Sequence, residues 1–138
     1  MLQFPFMLIA DDDEDDIYLL NSAFNESELK VKIDFVQNGQ EVFKYLDKIN
    51  GNNPLPDLIV LDLNMPLLGG RDTLLRLKED LRYKNIPVVI LTTSNSEKEK
   101  AHCLEIGAAL YLFKSPGFDK IVSTAKHLYE FSGLPTDR

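Results

Sequence analysis

Five short apolar runs, each followed by a segment of helical period, constrain this chain more than any other feature. The runs are "FMLIA" (residues 6–10), "VKIDFV" (31–36), "LIVLD" (58–62), "VVILT" (88–92) and "ALYLF" (109–113). "VKIDFV" alternates apolar and polar residues, which predicts one wetter face; the other four are nearly continuous, as in parallel strands covered on both sides. Between them the spacing changes to that of helices with one buried face. Ile17, Leu20 and Phe24 recur at i, i+3, i+7, as do Leu74, Leu77 and Leu81. Val42, Leu46 and Ile49 follow i, i+4, i+7, and Ile121, Ala125, Leu128 and Tyr129 form a last stripe. "SEKE" (96–99) has the capping-box pattern and predicts a helix start. Asn38–Gly39 and "NGNNPLP" (50–56) are loop chemistry. A βα unit repeated five times implies an α/β fold with a parallel sheet, helices on both faces and right-handed crossovers.

The 138 residues, 44% of them hydrophobic, suit one domain over 1–138, with a core at about 6–131 and a frayed tail at 132–138. A net charge of −7 argues against nucleic acid and anionic membranes and favours a cation or a basic partner surface. The single cysteine, Cys103, rules out an internal disulfide and fits a reducing compartment. The apolar start carries no basic segment and Asp11 cuts it short, so it reads as a strand and not a signal peptide. No run approaches the ~20 residues of a membrane span, and the expected setting is the cytoplasm.

The first run leads directly into six acidic residues, 11–16. Two like charges 4 Å apart repel by about 4 kcal/mol at an effective dielectric near 20. Some of the block is a solvated helix start, where carboxylates suit the dipole; Glu14, Asp15 and Asp16 are assigned to it. Asp11 and Asp12 call for another explanation. Open parallel sheets bind ligands at the carboxyl ends of their strands. Those ends carry Asp11, Asp12 and Asp13, then Asp62, then Thr92 and Thr93, then Lys114. Carboxylates supply hard oxygen ligands for Mg²⁺. A metal and a lysine neutralise a phosphoryl group in flight, a hydroxyl binds one of its oxygens, and a central carboxylate, Asp62, serves as nucleophile. An EF-hand reading fails, because its turn glycine would be Asp16 and its bidentate glutamate Ser22. A haloacid-dehalogenase-type phosphatase fits poorly, since it wants Thr or Val where Asp15 stands.

"IADDD", "VLDLNMPLLGG", "VVILTTS" and "GAALYLFKSP", in that order and separation, closely resemble the receiver domain of two-component response regulators over nearly the whole chain. Stand-alone, phytochrome-associated receivers are the nearest subgroup. The resemblance implies a flavodoxin-like, doubly wound sheet of order 2-1-3-4-5. It implies that Asp62 accepts a phosphoryl group from a phosphohistidine on a sensor histidine kinase. Asp11, Asp12 and Asp62 would hold Mg²⁺, with Mn²⁺ as a substitute, together with the backbone carbonyl of Asn64. Thr92 and Lys114 would bind phosphoryl oxygens, and Thr92 and Tyr111 would form the switch. Asn64 and Ser94 would tune hydrolysis of the acyl phosphate. A histidine phosphotransfer protein or downstream target is the implied partner, with homodimerisation through the fourth helix, fifth strand and fifth helix. Catalysis would be limited to the protein's own phosphorylation and dephosphorylation.

One departure from the resemblance stands out: Ser115 separates Lys114 from Pro116, where proline usually follows the family's lysine directly. A cis Lys114–Ser115 bond would cost roughly 3 kcal/mol, so a different loop path is expected. From burial preferences alone, Tyr111 reads equally well as a packed aromatic. His102 and His127 have no ligand partner at metal spacing and read as surface residues, and Cys103 as apolar filler. Two other classes remain open: a phosphorylation-independent module of the same fold, and a phosphoester hydrolase. The first would normally lack an acid, the threonine or the lysine, and none is missing.

Overall fold

The computed structural model describes residues 4–49 and 53–133. Five strands and five helices alternate: β1 (Phe6–Ala10), α1 (Glu14–Glu26), β2 (Lys32–Val36), α2 (Gly39–Ile49), β3 (Leu58–Leu61), α3 (Gly70–Glu79), β4 (Val88–Thr92), α4 (Glu97–Ile106), β5 (Leu110–Phe113) and α5 (Phe118–Ser132). All strand pairs are parallel, in the order β2-β1-β3-β4-β5. The flavodoxin-like architecture expected from the sequence is the one observed.

The continuous apolar runs split between two cores because successive side chains leave a strand on opposite faces. Leu8, Ala10, Ile59, Leu61, Val88 and Ile90 pack under α2, α3 and α4. Met7, Ile9, Leu58, Val60, Val89 and Leu91 pack under α1 and α5, against Leu20, Phe24, Ala125 and Leu128. Both edge strands are wetter than the centre. β2 has Lys32 exposed and the rest half-buried. β5, expected from its continuous apolar run to be covered on both sides, has Phe113 exposed and the rest half-buried because no further strand flanks it.

Caps fix where the helices begin. Asp13 accepts from the Asp15 and Asp16 amides at the start of α1. Ser96 accepts from the Glu99 amide, as "SEKE" predicts, but the Glu99 carboxylate turns instead to Ser94 Oγ. Asn38, read as loop, caps α2: its Oδ1 accepts from Glu41 N while Glu41 Oε1 accepts from Gln37 N.

Two further expectations need correction. Leu81 does not continue the α3 stripe; it is 81% exposed. The helix stops because Asp80 is extended (φ −95°, ψ 120°), its carboxylate accepting from Arg82 N, and Tyr83 enters the core in place of Leu81. The tail does not start at Ser132, which is the buried last residue of α5 with its hydroxyl donating to Tyr129 O. The tail beyond Gly133, like residues 50–52 of the "NGNNPLP" loop, lies outside the described residues.

Candidate functional site

Parallel register brings the strand ends to one rim. Ala10 pairs with Leu61, so the next residues, Asp11 and Asp62, leave the sheet side by side. Their backbones stay tied to it: Asp11 N donates to Val36 O at 3.0 Å and Asp62 N to Ala10 O at 3.1 Å. Both carboxylates are largely covered, at 6% and 7% residue exposure, whereas Asp12 is exposed. One carboxylate oxygen from each of Asp11, Asp12 and Asp62 lies within 4.8 Å of the others.

β5 delivers the cation. Lys114 N continues the ladder by donating to Thr92 O (2.7 Å), and its side chain crosses the rim. Nζ lies 2.6 Å from Asp11 Oδ2, 2.8 Å from Asp16 Oδ2 and 3.0 Å from Asp62 Oδ2. Ser115 therefore does not divert the lysine. No peptide bond of the described residues is cis. Burial raises the Asp11 carboxyl above the ordinary carboxylate range; hydrogen bonds from Lys114 and Asp13 N oppose the shift without cancelling it, and nearby Asp62 adds to it. Burial alone would lower the Lys114 ammonium, but its bonds to Asp11 and Asp16 outweigh that and hold it well above the usual lysine value. The two shifts have different causes: burial for the Asp11 carboxyl, and the surrounding carboxylates for the Lys114 ammonium.

The remaining predicted residues form a second group. Thr92 is fully buried and its Oγ1 accepts from Ser94 N at 3.3 Å. Tyr111 is half-buried, packs on the core under α3 and α4, and donates through its hydroxyl to Ser94 O at 3.0 Å. Ser94 Oγ donates to Glu99 Oε1 at 2.7 Å. Thr92 and Tyr111 are thus joined through one residue of the β4–α4 loop, without hydrogen bonds to the carboxylates. Asn64 is exposed, its amide donating to Asp62 Oδ1 at 3.3 Å.

The loop after Asp62 turns sharply. Leu68 N donates to Pro66 O, with Leu67 between them at φ 66° and 76% exposed. Left-handed backbone costs a side-chain-bearing residue roughly 1–2 kcal/mol. Gly69 then caps α3 and Gly70 opens it, so close to β3 that a Cβ on Gly70 would collide with the Asp62 carbonyl. Met65–Pro66 and Gly69–Gly70 have the structural role their chemistry suggests.

Asp16 is the residue that sequence reasoning missed. Assigned to a solvated helix start, it is instead a direct partner of Lys114. The available signal was helical geometry: Asp16 lies one turn after Asp12, and helical side chains lean toward the N-terminus, here toward the rim. Glu14 and Asp15 are exposed as expected, as are His102 and His127, and Cys103 is buried in the core.

Three hard-oxygen carboxylates beside a lysine, on a doubly wound parallel sheet, are compatible with divalent-cation and phosphoryl chemistry. The family model of the response regulator receiver domain matches residues 7–126, and this chain belongs to that family. Response regulator Rcp1 of Synechocystis sp. is 29% identical over 91% of this chain and 86% of its own length. The two-component response regulator ORR5 of Oryza sativa is 32% identical over 80% of this chain and 78% of its own. Among solved structures, that of the phosphorylated cyanobacterial phytochrome response regulator RcpA is 31% identical, with a TM-score of 0.87 over 99% of this chain and 100% of that one. The Mn²⁺-bound form of Rcp1 is 27% identical, with a TM-score of 0.83 over 97% and 99%. No helix of the described residues is long and apolar enough to cross a membrane.

Proposed function

We propose that this receiver domain is a phosphorylation-controlled switch whose acceptor is Asp62. The observation that carries the reading is the Lys114 ammonium 3.0 Å from Asp62 Oδ2, beside the close-set oxygens of Asp11, Asp12 and Asp62. A carboxylate oxygen of Asp62 attacks phosphorus on the phosphohistidine of a sensor histidine kinase. The new P–O bond forms as the P–N bond breaks, and the imidazole leaves with the electron pair. Lys114 remains protonated throughout and offers an N–H to a phosphoryl oxygen. Thr92 donates its O–H to a phosphoryl oxygen while its Oγ1 keeps a lone pair for the Ser94 amide, so a move of Thr92 toward the phosphoryl group draws the β4–α4 loop with it. Asp11, Asp12 and Asp62, with the Asn64 carbonyl, hold Mg²⁺ in this reading, and their all-oxygen chemistry suits Mn²⁺ as well. When bound, such an ion supplies positive charge to the phosphoryl oxygens. The Mn²⁺-bound relative supports the metal and the phosphorylated relative the acceptor chemistry.

That displacement of the loop shifts the Ser94 carbonyl that holds Tyr111, and so biases the α4–β5–α5 face between two states. That face exposes Leu104 and Phe113, which suits a second copy, a histidine phosphotransfer protein or a downstream target. Ser94, engaged by Glu99, acts on hydrolysis through the loop, and Asn64 from the exposed rim. Turnover is confined to the protein's own acyl phosphate, with no separate substrate. Incubation with acetyl phosphate and Mg²⁺ tests the reading: intact-mass and peptide analysis should find one phosphoryl group, on Asp62, and none in Asp62→Ala. Steady phosphoester turnover without an adduct would indicate a hydrolase, and neither adduct nor turnover an inert module.

A further inference from the structure

We infer that Asp16 is a positioning residue for phosphoryl transfer, holding the Lys114 ammonium by the one contact that neither metal nor phosphoryl group claims. The inference rests on the reading of Asp62 as acceptor and adds a residue to its machinery.

Lys114 Nζ has three N–H donors, and three carboxylates from three elements take them: Asp11 after β1, Asp62 after β3 and Asp16 in α1. Two of these carboxylates have other duties. Asp11 and Asp62 belong to the cluster whose oxygens lie within 4.8 Å of one another, and Asp16 does not. As Asp62 takes up the phosphoryl group, its bond to Lys114 must pass to a phosphoryl oxygen. Asp11 must divide its charge between the lysine and a cation. Asp16 alone keeps its partner unchanged through both events.

The surroundings show why a third contact matters. Beside Lys114 a pocket of about 70 Å³ opens between α1 and α5, backed by Leu20, Leu91 and Ile121. A lysine has four flexible side-chain bonds, and this pocket gives it room to swing away from Asp62. Asp16 lines the same pocket, and its bond to Nζ opposes that swing. Its own backbone is fixed, because its amide donates to the Asp13 cap at 3.2 Å. The anchor thus sits on a capped helix, and a rigid support is what precise placement of a reacting cation requires.

The test compares Asp16→Asn with Asp15→Asn, which removes the same charge from the exposed neighbouring position. Phosphorylation of the full chain by acetyl phosphate is followed at saturating donor and Mg²⁺. Asp16→Asn should lower the maximal rate roughly tenfold while half-saturating donor and Mg²⁺ stay within about twofold, since the loss is one of placement and not of binding. Asp15→Asn should match the parent protein, and Asp16→Glu, which keeps a carboxylate, should recover the rate. In a Lys114→Ala background Asp16→Asn should have no further effect, the signature of a residue acting through that lysine. Equal rates for Asp16→Asn and Asp15→Asn, or an undiminished effect of Asp16→Asn without Lys114, would overturn the assignment. If the parent protein takes no phosphoryl group on Asp62, the acceptor reading falls as well; if it does, only the role of Asp16 is lost.

Discussion

Lys114 is saturated before any substrate arrives, with each of its N–H groups directed at a different carboxylate. Asp12 has no such relief. It is exposed, hydrogen-bonded by none of the described residues, and close to two acids that already share one cation. Its chief interaction in the metal-free protein is repulsion. Asp12→Asn should therefore raise the metal-free melting temperature by roughly 2–5 °C. It should also abolish the added stability that millimolar Mg²⁺ gives a protein binding it only when folded. Differential scanning calorimetry with and without Mg²⁺ checks both. A lowered melting temperature with an intact Mg²⁺ response would contradict the metal assignment. Tyr83 offers a titration away from the site. Its phenol is buried, donates to Asp47 Oδ1 at 2.6 Å, and has its pKa pushed up to about 12 by burial and that hydrogen bond. The unfolded chain ionises Tyr83 near pH 10, so between about 10 and 12 the folded state holds the extra proton and stability falls as pH rises. Tyr83→Phe should cost about 1 kcal/mol at neutral pH and flatten this alkaline slope, as urea titrations across that range would show.

Among the elements, the joint between β3 and α3 controls the acceptor. Asp62 is held from both sides as it leaves β3: Asn64 N and Lys114 bond its carboxylate, and Gly70 N donates to Leu63 O at 3.0 Å, keeping α3 against the strand end. Gly70 has no room for a side chain. Gly70→Ala should destabilise by about 1–3 kcal/mol through displacement of α3. It should also slow Asp62 phosphorylation per folded molecule, because the acceptor loop moves with the helix. Denaturant melts paired with the acetyl phosphate assay separate these effects, and a full-rate, fully stable variant would refute the account of this joint. Element existence was legible from period alone, since hydrophobic spacing states which face must be buried. Element ends were not. Leu81 keeps the α3 spacing, yet Asp80 breaks the helix before it and Tyr83 fills the core instead. Asn38 looks like a loop residue until Glu41 is seen to answer it across the start of α2. A spacing rule reports the face but not the local hydrogen bond that ends the run.

Across the whole molecule, the rim was legible because parallel strands deliver their carboxyl ends to one edge whatever their side chains. Asp11, Asp62, Thr92 and Lys114 follow strand positions, so strand assignment sufficed to place them. Asp16 follows from the pitch of α1 and the reach of a lysine 98 residues away, which no strand pattern encodes. Ser94 likewise joins Thr92, Tyr111 and Glu99 only once the β4–α4 loop has folded. The chain carries a net charge of −7, and three of its acids crowd one ammonium. That arrangement makes sense as one half of a complex with a cation and a phosphoryl group. Its most direct test is a crystal structure with Mg²⁺ and beryllofluoride, a stable mimic of the phosphoryl group. The account predicts beryllium on an Asp62 oxygen, fluorines bonded by Lys114 Nζ and Thr92 Oγ1, magnesium against Asp11 and Asp12, and Asp16 still bound to Lys114. A rim left empty at saturating concentrations of both would contradict it.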